Sequence, residues 1–362
     1  MIRGFLNLFE LGGSGGGRWL PMEGLRGIAV TLVFFVHYTT GMSAYFDGKP
    51  RFLEVIHAIG NTGVDIFFVL SGFLIYRAVI RRPIDYRAYA WRRIERIYPA
   101  FLAVFALYLV IGAVLPQSSK LPETGALHYV AVNLLLLPGM IDIEPMITVA
   151  WSLSYEAFYY IAVPLLVAGF LLRGWAPPRR IALFALVLAG FIVLAHFGEA
   201  GRFRLTMFLG GILLYEISCL RTEDRENALI DWVALAVFVV SLATFGIQTR
   251  PPNYLFLNAA LVFLLWRCLY APGPAARLFS WRPLRLLGNM SYSYYLTHSL
   301  GLQVFFMFLP AVDPPGTVLV YAALVPAGFL LSVAASLPIY LAVERPLSLR
   351  PRPESAGPAT PS

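Results

Sequence analysis

Residues 23–38 read EGLRGIAVTLVFFVHY. Between Gly24 and Tyr45 the only cationic side chains are Arg26 and His37. At about 1.5 Å of rise per residue, this stretch is long enough as a helix to cross about 30 Å of hydrocarbon. Arg26 and His37 are 11 positions apart, which is three helical turns to within about 20°. They therefore lie on one face, separated by about 16 Å along the axis. Ionisable groups inside such a span are costly and by default functional. The competing reading is an arginine that snorkels to the interface and a histidine bonded into the bundle.

The rest of the chain agrees that this stretch lies in a membrane. Of 362 residues, 59% are hydrophobic and 13% charged. Soluble domains are nearer 25% charged, and a soluble chain of this size could not hide so much apolar surface. Ten stretches qualify as spans: 24–45, 60–79, 97–115, 149–172, 180–197, 203–218, 229–246, 253–270, 288–310 and 317–341. An eleventh, 126–138, is short, contains Asn133 and ends at Pro138, so it reads as an interfacial or re-entrant piece. The expected fold is an all-α polytopic membrane protein with about ten transmembrane helices. Residues 1–23 are expected to be a flexible segment, 24–345 the membrane domain and 346–362 a disordered tail.

The net charge of +8 follows the same layout. With both termini cytoplasmic, the outer loops hold only Lys49, Arg51, Lys120, Arg202, Arg204 and Arg250 of the 28 basic residues. That asymmetry is the positive-inside pattern, and it removes the need for a nucleic-acid partner. The GGSGGG run at 12–17 lacks the Gly-Lys-Ser/Thr ending of a phosphate loop and interrupts any signal-peptide core. Cys219 and Cys268 form no disulfide framework, and no histidine has metal-ligand spacing, so no metal is expected.

Further polar residues punctuate the apolar runs. Asp65 opens span 2 in GNTGVDIFFVLSGFLI, either to orient a histidine or bind substrate, or as a first-turn carboxylate favoured by the helix dipole. Ser71 and Gly72 in the same span read as close helix packing. The segment YRAVIRRPIDYRAYAWRRIERIYP, 76–99, clusters Arg92, Arg93 and Arg96 on one helix face. Such a cluster suits phosphates, with an anionic lipid headgroup as the competitor. In TVAWSLSYEAFYY, Ser152, Glu156 and Tyr159 share a face, and Trp151 is placed as an interfacial anchor. Glu156 would bind hydroxyls or orient a base, or serve as an ion-pair partner. In LGNMSYSYYLTHSL, Ser291, Tyr294 and His298 share a face flanked by Tyr295, forming either a polar strip for a ligand or helix-to-helix bonds. AVERPL, with Glu344 and Arg345, reads as a span boundary.

In this order the motifs LRGIAVTLVFFVHY, GVDIFFVLSGFLI, RRIERIYP, WSLSYEAFYY, LGNMSYSYYLTH and VERPL resemble the acyltransferase-3 family of integral membrane acyltransferases. The resemblance covers residues 20–346. It implies a ten-span domain, here without the esterase-like addition some members carry. It also implies transfer of an acyl group, usually acetyl from acetyl-CoA, to a hydroxyl of a cell-surface polysaccharide, lipopolysaccharide, exopolysaccharide or related metabolite. The family's catalytic histidine maps onto His37, the arginine opening the same motif onto Arg26, and the donor-associated RxxR onto Arg93 and Arg96. Asn289-Met290 and Thr297 depart from the commonest residues at those positions. On this reading His37 is the general base, assisted by Glu156 or Asp65. Acyl-CoA phosphates rest on Arg92, Arg93 and Arg96, and its arm passes Arg26. Trp151, Ser291, Tyr295 and His298 serve the substrate. The expected location is a bacterial cytoplasmic membrane. A transporter of an anionic or lipid-linked molecule is the alternative, and the absence of a visible inverted repeat weighs against it.

Overall fold

The computed structural model describes residues 8–10, 19–196, 203–220, 226–311 and 314–349. Among them there is no strand. Ten helices have 16 residues or more: α1 Leu20–Met42, α2 Arg51–Ile80, α3 Tyr86–Val114, α5 Trp151–Gly169, α6 Pro177–His196, α7 Leu205–Leu220, α8 Ala228–Ile247, α9 Pro251–Tyr270, α12 Ser291–Phe308 and α13 Val318–Ile339. Short helices α4 Ala126–Leu134, α10 Pro274–Phe279 and α11 Arg282–Asn289 connect them. Each expected span corresponds to one long helix, and 126–138 yields only the nine-residue α4. Among the described residues six helices are long and apolar enough to cross a membrane by length and composition: α1, α2, α3, α8, α9 and α13 with its extension.

Helix starts follow local chemistry. Asp85 caps α3 by accepting from the Arg87 and Ala88 amides, at 2.9 and 3.3 Å. Asn227 caps α8 and Thr317 caps α13 in the same way. Prolines open α1, α9, α10 and α11 where no intrahelical donor is needed. The helix that carries span 3, expected at 97–115, starts earlier and takes in the helix face of Arg92, Arg93 and Arg96. It runs from Tyr86 straight through Pro99 to Val114. Beyond Ile339 the chain widens into a π-helix, Tyr340–Ser348, so residues 346–348 of the expected tail are helical.

The expected flexible N-terminal segment is anchored where it is described. Phe9 is buried and stacked on Tyr340 at 5.2 Å. Glu10 pairs with Arg282 and Arg285. The glycine run 12–17 and the tail from 350 lie outside the described residues.

Small residues let helices approach closely. A Cβ on Gly72 would sit 2.1 Å from the Phe208 carbonyl oxygen, and one on Gly211 2.0 Å from that of Val69. The α2–α7 crossing therefore requires glycine on both sides, as the packing reading anticipated for Gly72; Ser71 instead faces a cavity and donates to Glu156. Apolar side chains such as Val110, Val114, Ile161, Leu165, Leu186, Val239, Leu319 and Leu330 face outward. That outer layer accounts for much of the 59% hydrophobic content.

Buried charges pair at helix ends. Arg267 and Asp231, both without exposed side-chain surface, meet at 2.6 Å. Arg180 donates to Glu216 at 2.7 Å, and the Tyr76 hydroxyl donates to the same oxygen.

Candidate functional site

Helices α1, α2, α3, α5 and α12 enclose a cavity of about 190 Å³. Arg26, Arg93, Arg96, Glu156, Ser291 and Tyr295, six of the residues singled out in the sequence, line it together. Ser71, Ser152, Tyr160 and Tyr292 complete its polar wall. The 3.6-residue period explains the convergence, since each helix turns its sparse polar face inward and its apolar faces outward.

The cations are held in distinct ways. Arg26 donates from Nε to Ser291 Oγ at 3.1 Å. Arg96 donates from Nη1 to Glu344 Oε1 at 2.8 Å and lies over the Tyr292 ring. Arg93 lies between the rings of Tyr89 and Tyr160, at 5.0 and 4.9 Å. Its Nε is enclosed and has no hydrogen-bond partner among the described residues. Arg92 is exposed and does not line the cavity. Three guanidinium groups thus face two carboxylates, Glu156 and Glu344, which leaves the chamber net cationic and open to an anion.

Glu156 belongs to this chamber. Its Oε1 accepts from the Tyr160 hydroxyl at 2.5 Å and from Ser71 Oγ at 3.3 Å. Arg93 and Tyr160 also border a second, largely apolar crevice of about 380 Å³ between α3 and α5. The chamber's far end is closed by Tyr295, whose hydroxyl meets Ser152 Oγ at 2.7 Å and donates to the Val149 carbonyl at 3.1 Å.

His37 and His298 lie just beyond Tyr295. Their ring centres are 4.9 Å apart, and the Tyr295 and His298 rings are 6.2 Å apart. Neither Glu156 nor Asp65 hydrogen-bonds His37 among the described residues. Asp65 is wholly buried and faces Arg204 at 3.6 Å. The Arg204 guanidinium in turn lies 5.4 Å from the Trp151 ring centre. The structure thus forms three linked groups: an arginine chamber, a histidine pair and an Asp65–Arg204–Trp151 set.

Several of these partners escape a sequence reading. Arg204 counts there only as a loop charge and Glu344 only as a boundary. Tyr160, and Ser293, whose amide and hydroxyl donate to Glu344, carry no signal apart from lying within polar-studded helices. No group of three or more potential metal ligands occurs among the described residues. Cys219 is exposed and Cys268 buried, both as free thiols.

Residues 21–340 match the acyltransferase domain of the acyltransferase-3 family. The O-acetyltransferase OatA of Staphylococcus aureus is 26% identical over 319 residues, which cover 78% of this chain and 50% of the relative. The chain therefore spans about half the length of that relative. The exopolysaccharide production protein ExoZ of Rhizobium meliloti is 29% identical over 320 residues, covering 81% of this chain and 91% of ExoZ. No solved structure matches the chain.

Proposed function

Taking as premise that the chain belongs to the acyltransferase-3 family over residues 21–340, we propose that it is a membrane-embedded O-acyltransferase. It moves an acyl group, acetyl in the first instance, from acyl-CoA to a hydroxyl of a cell-surface carbohydrate or related glycan. Ten helices cross a bacterial cytoplasmic membrane with both termini in the cytoplasm. The two named relatives act in O-acetylation and exopolysaccharide production by their names, which supports this choice of reaction and acceptor.

The observation that carries the reading is a chamber lined by three arginines, with a histidine pair just beyond Tyr295, the residue that closes its far end. Acyl-CoA enters from the arginine-rich end, with its phosphates on Arg93 and Arg96 and with Arg92 at the mouth. The pantetheine arm passes Arg26 and Glu156. The chamber and the approximately 16 Å from Arg26 to His37 set the reach the arm needs. His37 takes the proton of the acceptor hydroxyl as that oxygen attacks the thioester carbonyl. The C–O bond forms, the C–S bond breaks, and the leaving thiolate recovers the proton from His37. Tyr295, whose ring lies 6.2 Å from that of His298, would steady the oxyanion with its hydroxyl, while Ser291, bonded to Arg26, lies along the path of the donor arm. Trp151, over which Arg204 is held by Asp65, offers a ring face to the acceptor.

Membranes containing the protein are expected to release free CoA thiol from acetyl-CoA. His37→Ala is expected to lower that rate by at least about 100-fold, with the protein still in the membrane. Wild-type activity in His37→Ala would overturn the reading. Acceptor uptake without thiol release would point to transport instead.

A further inference from the structure

His298 lies in the middle of α12 and has no exposed surface. Its Nδ1 lies 2.8 Å from the Tyr295 carbonyl oxygen and 3.2 Å from that of Tyr294. Carbonyl oxygens only accept, so Nδ1 carries the proton and Nε2 bears a lone pair. Nε2 is enclosed and has no hydrogen-bond partner among the described residues. Buried polar atoms are nearly always paired, and an orphan acceptor in a membrane interior calls for an explanation.

The surroundings restrict what that acceptor can meet. Nδ1 is turned onto the backbone of its own helix, so Nε2 points away from α12. Tyr294 stacks parallel to the ring, with centres 5.7 Å apart. Ser332 of α13 donates to the His298 carbonyl at 3.3 Å and to that of Gly328 at 2.9 Å. The ring is thus held in place, and its imidazole neighbour is His37 of α1, at 4.9 Å between centres and 58° between planes. Two imidazoles joined by an N–H···N bond stand about 5 Å apart, which is about 2.9 Å plus two ring radii.

We propose that His298 is a positioning residue for His37, an inference that rests on the reading of His37 as the base. During turnover His298 Nε2 accepts the N–H of His37. This selects the His37 tautomer whose other nitrogen presents its lone pair to the acceptor hydroxyl. When His37 takes that proton, the N–H···N bond becomes charge-assisted and holds the imidazolium. The thiolate sulfur then removes the proton from His37, and His298 stays neutral throughout. The bond is open in the resting geometry, as catalytic hydrogen bonds commonly are before substrate binds.

Glutamine can place its amide oxygen near the Nε2 position, whereas asparagine reaches only as far as Nδ1. The test compares His298→Gln, His298→Asn, His37→Ala and the His37→Ala/His298→Asn double variant. All are full-length proteins in membranes of the producing bacterium, which hold the native acceptor. The probe is acetyl-CoA and the readout is thiol release. His298→Asn is expected to lower kcat by about 10- to 100-fold with KM for acetyl-CoA within about 2-fold of wild type. His298→Gln is expected to stay within about 5-fold of wild type, and the double variant to match His37→Ala. Wild-type kcat in His298→Asn, or equal losses with Asn and Gln, would overturn the inference. So would a further loss in the double variant. Should His298→Asn not accumulate, His298→Gln decides alone: a rate within about 5-fold supports the inference and a loss of about 100-fold overturns it. An inactive His37→Ala beside a wild-type His298→Asn sinks only this inference. An active His37→Ala sinks the underlying reading as well.

Discussion

Glu344 uses two oxygens to satisfy three donors. Oε1 accepts from Arg96 at 2.8 Å, and Oε2 accepts from the Ser293 amide and hydroxyl at 2.9 and 2.6 Å. All of this is in a position with no exposed surface. Glutamine has one acceptor oxygen, so Glu344→Gln turns an N–H toward either Ser293 or Arg96 and releases one of them. The backbone amide of Ser293 cannot move away, and Arg96, with its side chain 24% exposed, can. Glu344→Gln is therefore expected to raise KM for acetyl-CoA by about 10-fold, the equivalent of about 1.4 kcal/mol, with kcat little changed. Thiol release measured against acetyl-CoA concentration checks this, and an unchanged KM would show that Arg96 keeps its place without Glu344. The residues that sequence reasoning reached are those whose signal is local: Arg26 and His37 on one face, the Arg93–Arg96 spacing, and Glu156 and Tyr295 as polar groups in apolar runs. Glu344 and Arg204 were not legible as site residues. Their meaning lies in partners 248 and 139 positions away, Arg96 and Asp65, and periodicity within one helix carries no information about such pairs.

The same limit acts on elements. The existence of all ten long helices follows from runs of apolar residues, but their ends do not. The π-helix Tyr340–Ser348 has no signature in hydropathy, yet it carries Glu344 into the interior. Wide turns of this kind recur at functional sites. Arg180 and Arg267 counted in the sequence only as basic-side charge, because the positive-inside count does not distinguish a solvated arginine from a buried one. Arg267 is buried. It closes α9 onto α8 through Asp231, whose second oxygen accepts from the Ala275 amide at 3.3 Å. Arg267→Met would leave the Asp231 carboxylate without its counter-charge in a dry setting, which costs about 3–5 kcal/mol. The expected result is a clear fall in thermal stability in detergent. Arg267→Met/Asp231→Leu should restore most of the loss, since replacing both members of a buried pair is close to neutral. A single variant as stable as wild type would mean that water reaches the pair.

At the scale of the whole molecule, the charge layout and the helix order make one joint prediction. The proposed ten crossings would put the turns after odd-numbered crossings on one side and those after even-numbered crossings on the other. Asp47, Glu123 and Arg250 lie in the first set, and Arg82, Arg179 and Arg277 in the second; all six are exposed. Only six of 28 basic residues fall on the first side, and the basic side of a multi-pass protein stays in the cytoplasm. The chamber's arginines belong to the basic end, so on the proposed reading the residue type that would hold the donor's phosphates is the one that orients the chain. Both native cysteines are free thiols, so they are first replaced by serine and single cysteines are introduced at the six positions. With a membrane-impermeant maleimide, Asp47→Cys, Glu123→Cys and Arg250→Cys are expected to label in spheroplasts. Arg82→Cys, Arg179→Cys and Arg277→Cys are expected to label only after the membrane is permeabilised. The pairwise order makes the result diagnostic. If one of the short or less apolar helices α5, α6 or α7 failed to cross, every later position would switch sides together, and the place of the switch would locate the fault. A switch between Arg179 and Arg250 would place the fault in α6 or α7. One between Arg250 and Arg277 would contradict a crossing by α9, which length and composition mark as able to span.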